Sequence, residues 1–226
     1  MTNTLLIAVL GVALTPAQAE KTLTGSTAAS GHTSIEVRGN VGSITVTAAS
    51  VQEVRVSVRV KGKTQWRFFG SVTGDPNQVQ LRQDRHGNAL EISLFGDRRN
   101  LEEDWQIEVP ESVAARLDLD VGRIRVNGIR GGCDARTNVG HIDISVPQGS
   151  ISATSSVGDI RVSTATSSYG DVDTRTNVGH LRLDRDGHAM DHRRAPGAGD
   201  SFKLRGAGRD RIRAHTDVGA VELKIR

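Results

Sequence analysis

His141, Asp159 and His180 each stand immediately after a Val-Gly pair. If those pairs mark equivalent points of a stacked repeat, the three side chains form one outward column, and two imidazoles with a carboxylate are a donor set that zinc accepts. Spacing argues against a metal: His141 and His180 would lie two rungs apart, roughly 9–10 Å at the distance between neighbouring strands, whereas both must reach one ion at about 2 Å. The column is expected to be a solvated polar ladder with a His–Asp contact between neighbouring rungs. Cys133 is the one cysteine, so no intramolecular disulfide and no multi-cysteine metal site exists. It shares a column with Ala115, Ile151, Val172 and Ile212, which predicts a buried, inert thiol with no base to activate it. The serines of Ser155-Ser156 and Ser167-Ser168 lie in no nucleophile-elbow pattern and read as corner and turn residues. No catalytic residue, metal or cofactor is expected.

These residues are placed by a repeat. Val-Gly-x-(Ile/Leu/Val)-x-(Val/Ile/Leu) recurs at Val41-Gly42, Val121-Gly122, Val139-Gly140, Val157-Gly158, Val178-Gly179 and Val218-Gly219. Six residues before each valine lies Ile35, Ala115, Cys133, Ile151, Val172 or Ile212, and two further on Val37, Leu117, Ala135, Ala153, Thr174 or Ala214. Polar residues alternate with both columns, the period of a strand with one buried face. Each unit therefore reads as strand, corner, strand, with Gly at the corner accepting positive φ and the preceding Asn40, Asp120, Asn138, Ser156, Asn177 or Asp217 bonding nearby backbone. Val, Ile and Leu ladders are expected to fill the interior, since one unit cannot bury its apolar face alone. The stretch from Gly199 to Leu204 fits a degraded copy between the units at 178 and 218, and Asp184 to Ala198 is expected to loop out. Gly197 to Phe202 matches the calcium nonapeptide of parallel β-rolls in one degenerate copy, too little for sites that draw ligands from adjacent repeats. Polar Ser145 and Ser163 and the drifting period disfavour a left-handed hexapeptide coil, so a right-handed one is expected.

Composition agrees. Aromatics are 3% of 226 residues and Gly numbers 25, which excludes an aromatic-packed globule and a long helical bundle. The apolar run Leu5 to Leu14, followed by Ala17-Gln18-Ala19, reads as a secretory signal peptide over 1–19, with an uncleaved anchor helix as the alternative. Export to the periplasm or beyond, with cleavage near Ala19, is the expectation, and no other stretch could span a membrane. Residues 20–110 read as an N-terminal strand-rich part with a first rung at 35–46 and an insert at 51–110, and residues 111–226 as a β-solenoid. The insert predicts strands over 54–60, 79–81, 90–94 and 105–109. It carries Trp66, Phe68, Phe69, Phe95 and Trp105, expected to plug an open solenoid end or, alternatively, to stack on sugar rings. The tail is basic, with Arg193, Arg194, Arg209, Arg211 and Arg213 the candidate anion-binding residues alongside Trp66, Phe68 and Phe69. Interleaved aspartates make an ordinary mixed surface the competing reading.

The early rung Ile35 to Val46, the strand Trp105-Gln106-Ile107-Glu108-Val109-Pro110, the Val-Gly copies and the terminal strand Gly219 to Ile225 resemble a bacterial family of β-strand-repeat proteins commonly labelled putative adhesins, similar to the adhesin-head GIN-type domain. The resemblance covers nearly the whole mature chain. It implies a right-handed, single-stranded β-helix in exported proteins without established enzyme activity, so the chain is expected to be an all-β parallel β-helix whose own strand-rich insert caps one end. The expected function is a non-enzymatic envelope surface, structural, adhesive or ligand-binding, toward an envelope glycan or a protein partner and not toward nucleic acid. A polysaccharide lyase or hydrolase on the same fold is the alternative, requiring clustered Asp/Glu with Arg or Lys in a groove, and a partner role in envelope sensing is a third possibility.

Overall fold

The computed structural model describes residues 19–30, 33–67, 70–165, 169–185, 188–192 and 199–226. The apolar leader therefore lies outside the described residues, except for Ala19. Among the described residues there is no α-helix, only strands and a 3-10 turn at Pro76–Gln78.

Bent strands β2 (Ser34–Ala49), β9 (Ala114–Asn127) and β10 (Cys133–Val146) each pass through a Val-Gly corner without interruption. The same course is followed by the pairs β11 (Ile151–Val157) with β12 (Ile160–Thr164), β13 (Tyr169–Val178) with β14 (Leu181–Arg185), and β17 (Asp210–Val218) with β18 (Val221–Ile225). A further rung comes from the insert, β7 (Ala89–Gly96) with β8 (Leu101–Pro110), both paired in parallel with β2. All these rungs stack in parallel and in register, so that Ile44, Ile124, Ile142, Ile160, Val221 and Leu181 form one buried ladder with Trp105 at its end. The inward residues of both limbs belong to one core, and full burial of each such Val, Ile or Leu contributes about 1.5–3 kcal/mol.

Antiparallel strands flank both ends of this stack. At one end β6 (Val79–His86) lies on β7, β3 (Glu53–Gly62) on β8, and β1 (Glu20–Ala28) on β3. At the other, β16 (Asp200–Arg205) lies on β13 and β15 (His188–His192) on β14. The expected parallel β-helix with a capping insert is thus, as a whole, an all-β molecule whose rungs and flanking strands form one mixed, sixteen-stranded sheet. The hairpin of β4 (Thr64–Arg67) and β5 (Gly70–Thr73) stands as a separate two-stranded sheet. Strands expected over 54–60, 79–81, 90–94 and 105–109 are present as parts of β3, β6, β7 and β8. The loop expected from Asp184 onward begins instead as the β14–β15 hairpin; residues 193–198 lie outside the described residues.

The rungs do not stack in chain order. The C-terminal rung β17–β18 sits between β11–β12 and β13–β14, not beyond the latter. The segment from Gly199 to Leu204 is accordingly no missing copy; it lies mostly within the antiparallel edge strand β16. A charge ladder explains the insertion. With it, the outward column reads Arg125, Asp143, Arg161, Glu222, Arg182, with signs alternating throughout. Arg161 reaches Asp143 at 3.7 Å and Glu222 at 3.5 Å. Stacking in chain order would set Arg161 directly against Arg182, and like charges opposite one another are destabilising.

The corner valines are a second correction. Expected in the interior, Val41, Val121, Val139, Val157, Val178 and Val218 are 42–48% exposed. Inward residues fall at 35, 37 and 39 on the first limb but at 44 and 46 on the second, an odd step that reverses the side-chain phase at the corner. The glycine permits the reversal: Gly122, Gly140, Gly158 and Gly219 hold φ between 138 and 152°. Their backbones stack so closely that a Cβ on Gly140 would overlap the carbonyl oxygen of Gly122. Buried hydroxyls satisfy three of these corner carbonyls: Ser155 donates to Gly140 O at 3.4 Å, Thr216 to Gly158 O at 2.9 Å and Thr176 to Gly219 O at 2.9 Å. The Asn/Asp column bonds side chain to side chain, Asn138 donating to Asp120 at 3.2 Å and Asn177 to Asp217 at 2.7 Å, rather than to backbone.

In the rung of β7 and β8, Glu103 takes the place of the corner glycine opposite Gly42. Its carboxylate is fully buried and accepts two 2.8 Å bonds from Arg98 and one of 3.1 Å from Trp105 Nε1.

Gly140→Ala should lower stability by about 2–4 kcal/mol through backbone strain and overlap. Gly87→Ala, whose Cβ meets nothing within 4 Å, should cost only about 1 kcal/mol. Urea midpoints compare the two. Arg98→Ala strands a buried charge and should cost about 3–5 kcal/mol by the same measurement.

Candidate binding groove

The outward side chains of the first limb form rows across the rungs because the register is unbroken. One row runs Glu36, Arg116, Asp134, Ser152, Arg213, from β2 through β9, β10 and β11 to β17. These residues, with Arg211, Ser150 and the Gly131-Gly132 backbone, line a groove of about 440 Å³. Its two halves differ in charge. Arg116 bridges Glu36 at 3.5 Å and Asp134 at 3.6 Å, and Asp134 also accepts a 2.7 Å bond from Arg136, so this half is internally neutralised. At the other half Arg211 lies 3.6 Å from Asp171, and its backbone N–H donates to Ser150 Oγ at 3.2 Å. Arg213 is exposed and makes no ion pair among the described residues; Asp173, opposite it on the next rung, pairs with Lys203 at 3.2 Å instead.

Of the basic candidates, the structure brings Arg211 and Arg213 together at this groove. Arg209 is exposed in the bend before β17 and does not line it; Arg193 and Arg194 lie outside the described residues. Arg116 was not singled out by sequence reasoning. Its signal was its place one residue after Ala115, the column that also holds Asp134 and Arg213.

Of the aromatics expected to plug the solenoid end, two have described side chains. Trp105 is fully buried within a rung, whereas Phe95 is 65% exposed on β7. Trp66 belongs to β4, and Phe68 and Phe69 lie outside the described residues.

The insertion of β17–β18 also changes the His–Asp column. Ala220 stands between Asp159 and His180, so His141 and His180 are three rungs apart, about 14 Å at strand spacing. His141 Nδ1 accepts the Asp159 backbone N–H at 3.4 Å, and Asp159 Oδ1 accepts that of Ala220 at 2.9 Å. Both contacts tie rungs together. No group of three or more His, Cys, Asp or Glu side chains suited to a metal ion occurs among the described residues.

Cys133 forms part of the groove's floor, 5% exposed. Burial, with a smaller contribution from the Asp134 charge, pushes its thiol up to about 12 from 9.0. A protonated thiol is a poor nucleophile, so the groove offers no thiolate chemistry.

The architecture defines a class: an all-β repeat protein whose parallel rungs share one core and present ordered polar rows. The chain belongs to the Toastrack DUF4097 family, whose model matches residues 100–224. Among solved structures, it resembles a putative cell adhesion protein from Clostridium sporogenes, at 13% identity over 92% of this chain and 100% of that one, with a TM-score of 0.56. A putative adhesin from Bacteroides fragilis aligns at 13% identity over 90% of this chain and 97% of its own, with a TM-score of 0.29. The first of these likenesses speaks to a shared fold. No curated protein matches the chain.

Native Cys133 should resist alkylation at pH 8 and react on unfolding. Above about pH 9 the unfolded thiol ionises while the native one stays protonated, so the native state binds more protons and stability should fall as pH rises toward 12. The difference in urea midpoint between wild type and Cys133→Ala, followed from pH 8 to 10, reads this contribution.

Proposed function

We propose that the protein is an exported, non-enzymatic surface protein of the bacterial envelope that binds an acidic glycan along the groove of the first limb. Its leader is a cleaved signal peptide ending near Ala19, and the mature chain works in the periplasm or outside the cell. Residues 20–110 form its capped end and 111–226 its repeats, with the consecutive rungs 114–127, 133–146 and 151–164 as turns of a right-handed, single-stranded coil of the GIN type. The similar fold of a protein named a putative cell adhesion protein supports an adhesive role.

One observation carries the ligand class. Arg213 is a guanidinium in no ion pair, its neighbour Asp173 being taken by Lys203, at the end of a groove whose other half holds Arg116 between Glu36 and Asp134. A sugar carboxylate or phosphate completes the pairing there, since guanidinium holds such groups through two parallel hydrogen bonds. The hydroxyls of Ser150 and Ser152 and the backbone at Gly131-Gly132 face the neighbouring sugar hydroxyls.

The groove also holds the carboxylates and arginines that the lyase or hydrolase alternative calls for, Glu36 and Asp134 around Arg116. Arg116 stands between the two, 3.5 Å from Glu36 and 3.6 Å from Asp134. Incubation with acidic polysaccharides separates the readings: retention without new reducing ends or unsaturated products supports binding, and turnover supports the enzyme.

On an array of acidic and neutral glycans, the protein should retain acidic chains. Arg213→Ala should weaken them roughly tenfold or more, the loss expected of one charge-assisted pair. Equal retention of neutral glycans, or an unchanged affinity in Arg213→Ala, overturns the proposal.

A further inference from the structure

At each of six rungs one valine stands outside. Val41, Val121, Val139, Val157, Val218 and Val178 are register partners in that order, and each is 42–48% exposed. At strand spacing the row is about 24 Å long. On the second-limb side it is bordered by the corner glycines, which carry no side chains, so the methyl groups adjoin bare backbone.

Polarity at the corner is inverted. Two residues before the exposed valines, Thr137, Ser155, Thr216 and Thr176 are buried. The hydroxyls of Ser155, Thr216 and Thr176 serve corner carbonyls, while that of Thr137 has no partner; strand geometry does not require valine on the outside, where isosteric threonine would meet the same β-branched preference. A continuous exposed apolar patch of a few hundred Å² is the size that on monomers is often an interaction site.

The flanking columns identify the occupant. On the first-limb side the row is lined by Asn40, Asp120, Asn138, Ser156, Asp217 and Asn177; on the second-limb side by Ser43, Arg123, His141, Asp159, Ala220 and His180. A second copy facing the first across a two-fold axis parallel to the row brings the two columns opposite each other, rung by rung. Asp120 then faces Arg123 of the other copy, Asn138 faces His141, Asn177 faces His180 and Ser156 faces Asp159. Charge and hydrogen-bonding capacity match at these four places and at Asn40 with Ser43, while Asp217 faces Ala220 and gains no partner. The other two-fold arrangement, with the rows antiparallel, sets Asp120 against Asp217, which repel, leaves Arg123 facing Ala220, and offers His141 with Asp159 as its one oppositely charged pair.

We propose that the valine row is a self-association surface, occupied by a second copy of this chain in the parallel two-fold arrangement. An apolar centre with a polar rim is the usual anatomy of an interface. The flanking columns add the area that the valines alone lack relative to the roughly 800 Å² per partner of a standard interface. The groove lies on the outward face of the first limb, away from the row, so each copy keeps its own groove.

Sedimentation equilibrium of the purified protein tests this. Wild type should dimerise, and the triple variant Val139→Thr, Val157→Thr, Val218→Thr should dissociate roughly tenfold or more readily, as loss of a central apolar cluster implies. Thermal melts followed by circular dichroism confirm that the variant is folded. Asp120→Arg and Arg123→Asp should each weaken the dimer, and the two together should restore it, because the swap re-forms the cross-copy pair. A wild type that is monomeric throughout the micromolar range, a folded triple variant that dimerises as well as wild type, or a folded charge swap that fails to recover association overturns the proposal.

Discussion

The close stacking of backbone at the Val-Gly corner is the constraint on which the molecule depends. At Gly122, Gly140, Gly158 and Gly219 each rung's carbonyl occupies the space where its neighbour's Cβ would stand, with φ positive throughout. A side chain at any of these points would separate adjacent rungs and break the pairing of both limbs at once. The same bend reverses the side-chain phase, placing Ile and Val of both limbs on one inner side and the corner valine outside. The buried Ser155, Thr216 and Thr176 hydroxyls are the complement of this arrangement, since a corner carbonyl withdrawn from water needs a donor and the neighbouring rung supplies it.

Stacking of this kind could propagate, and both ends are altered to stop it. Antiparallel β3 and β6 cover one terminal rung, β15 and β16 the other, and Glu103 with Arg98 replaces the glycine corner at the first. Parallel rungs offer an edge that matches their own repeat, whereas reversed strands change the hydrogen-bonding pattern. Between the ends, order among similar rungs is set by side chains on the outside. Exposed ion pairs such as Arg161–Glu222 contribute at most about 1 kcal/mol each, but their alternation distinguishes one order of rungs from another, which the uniform aliphatic core cannot do.

This division leaves the outward positions free for function. The aliphatic ladders and corner glycines are needed in every rung, while the alternate residues facing water differ from rung to rung without disturbing the stack. The groove around Arg213 and the valine row are two results of the same register, one a polar row assembled from five rungs and the other an apolar row assembled from six. Neither lies within a single segment of the chain, so each depends on the rungs staying in place.

The repeat, the strands of the insert, the burial of Cys133 and the membership of one core were legible in the chain because they follow from period-2 alternation and fixed offsets, which are local. That same local reasoning placed the corner valines inside, because it carried the alternation through a bend that reverses it. It also stacked the rungs in chain order, which put His141 and His180 too close and hid the row joining Arg116 and Asp134 to Arg213. Which rungs become neighbours depends on pairing between distant segments, chiefly the placement of Glu222 between Arg161 and Arg182. Composition and spacing determined that there would be rungs, what each would bury and where each would turn. Their order, and therefore every surface built across them, was decided only by the folded chain, because opposite charges and backbone carbonyls find their partners across space rather than along the sequence.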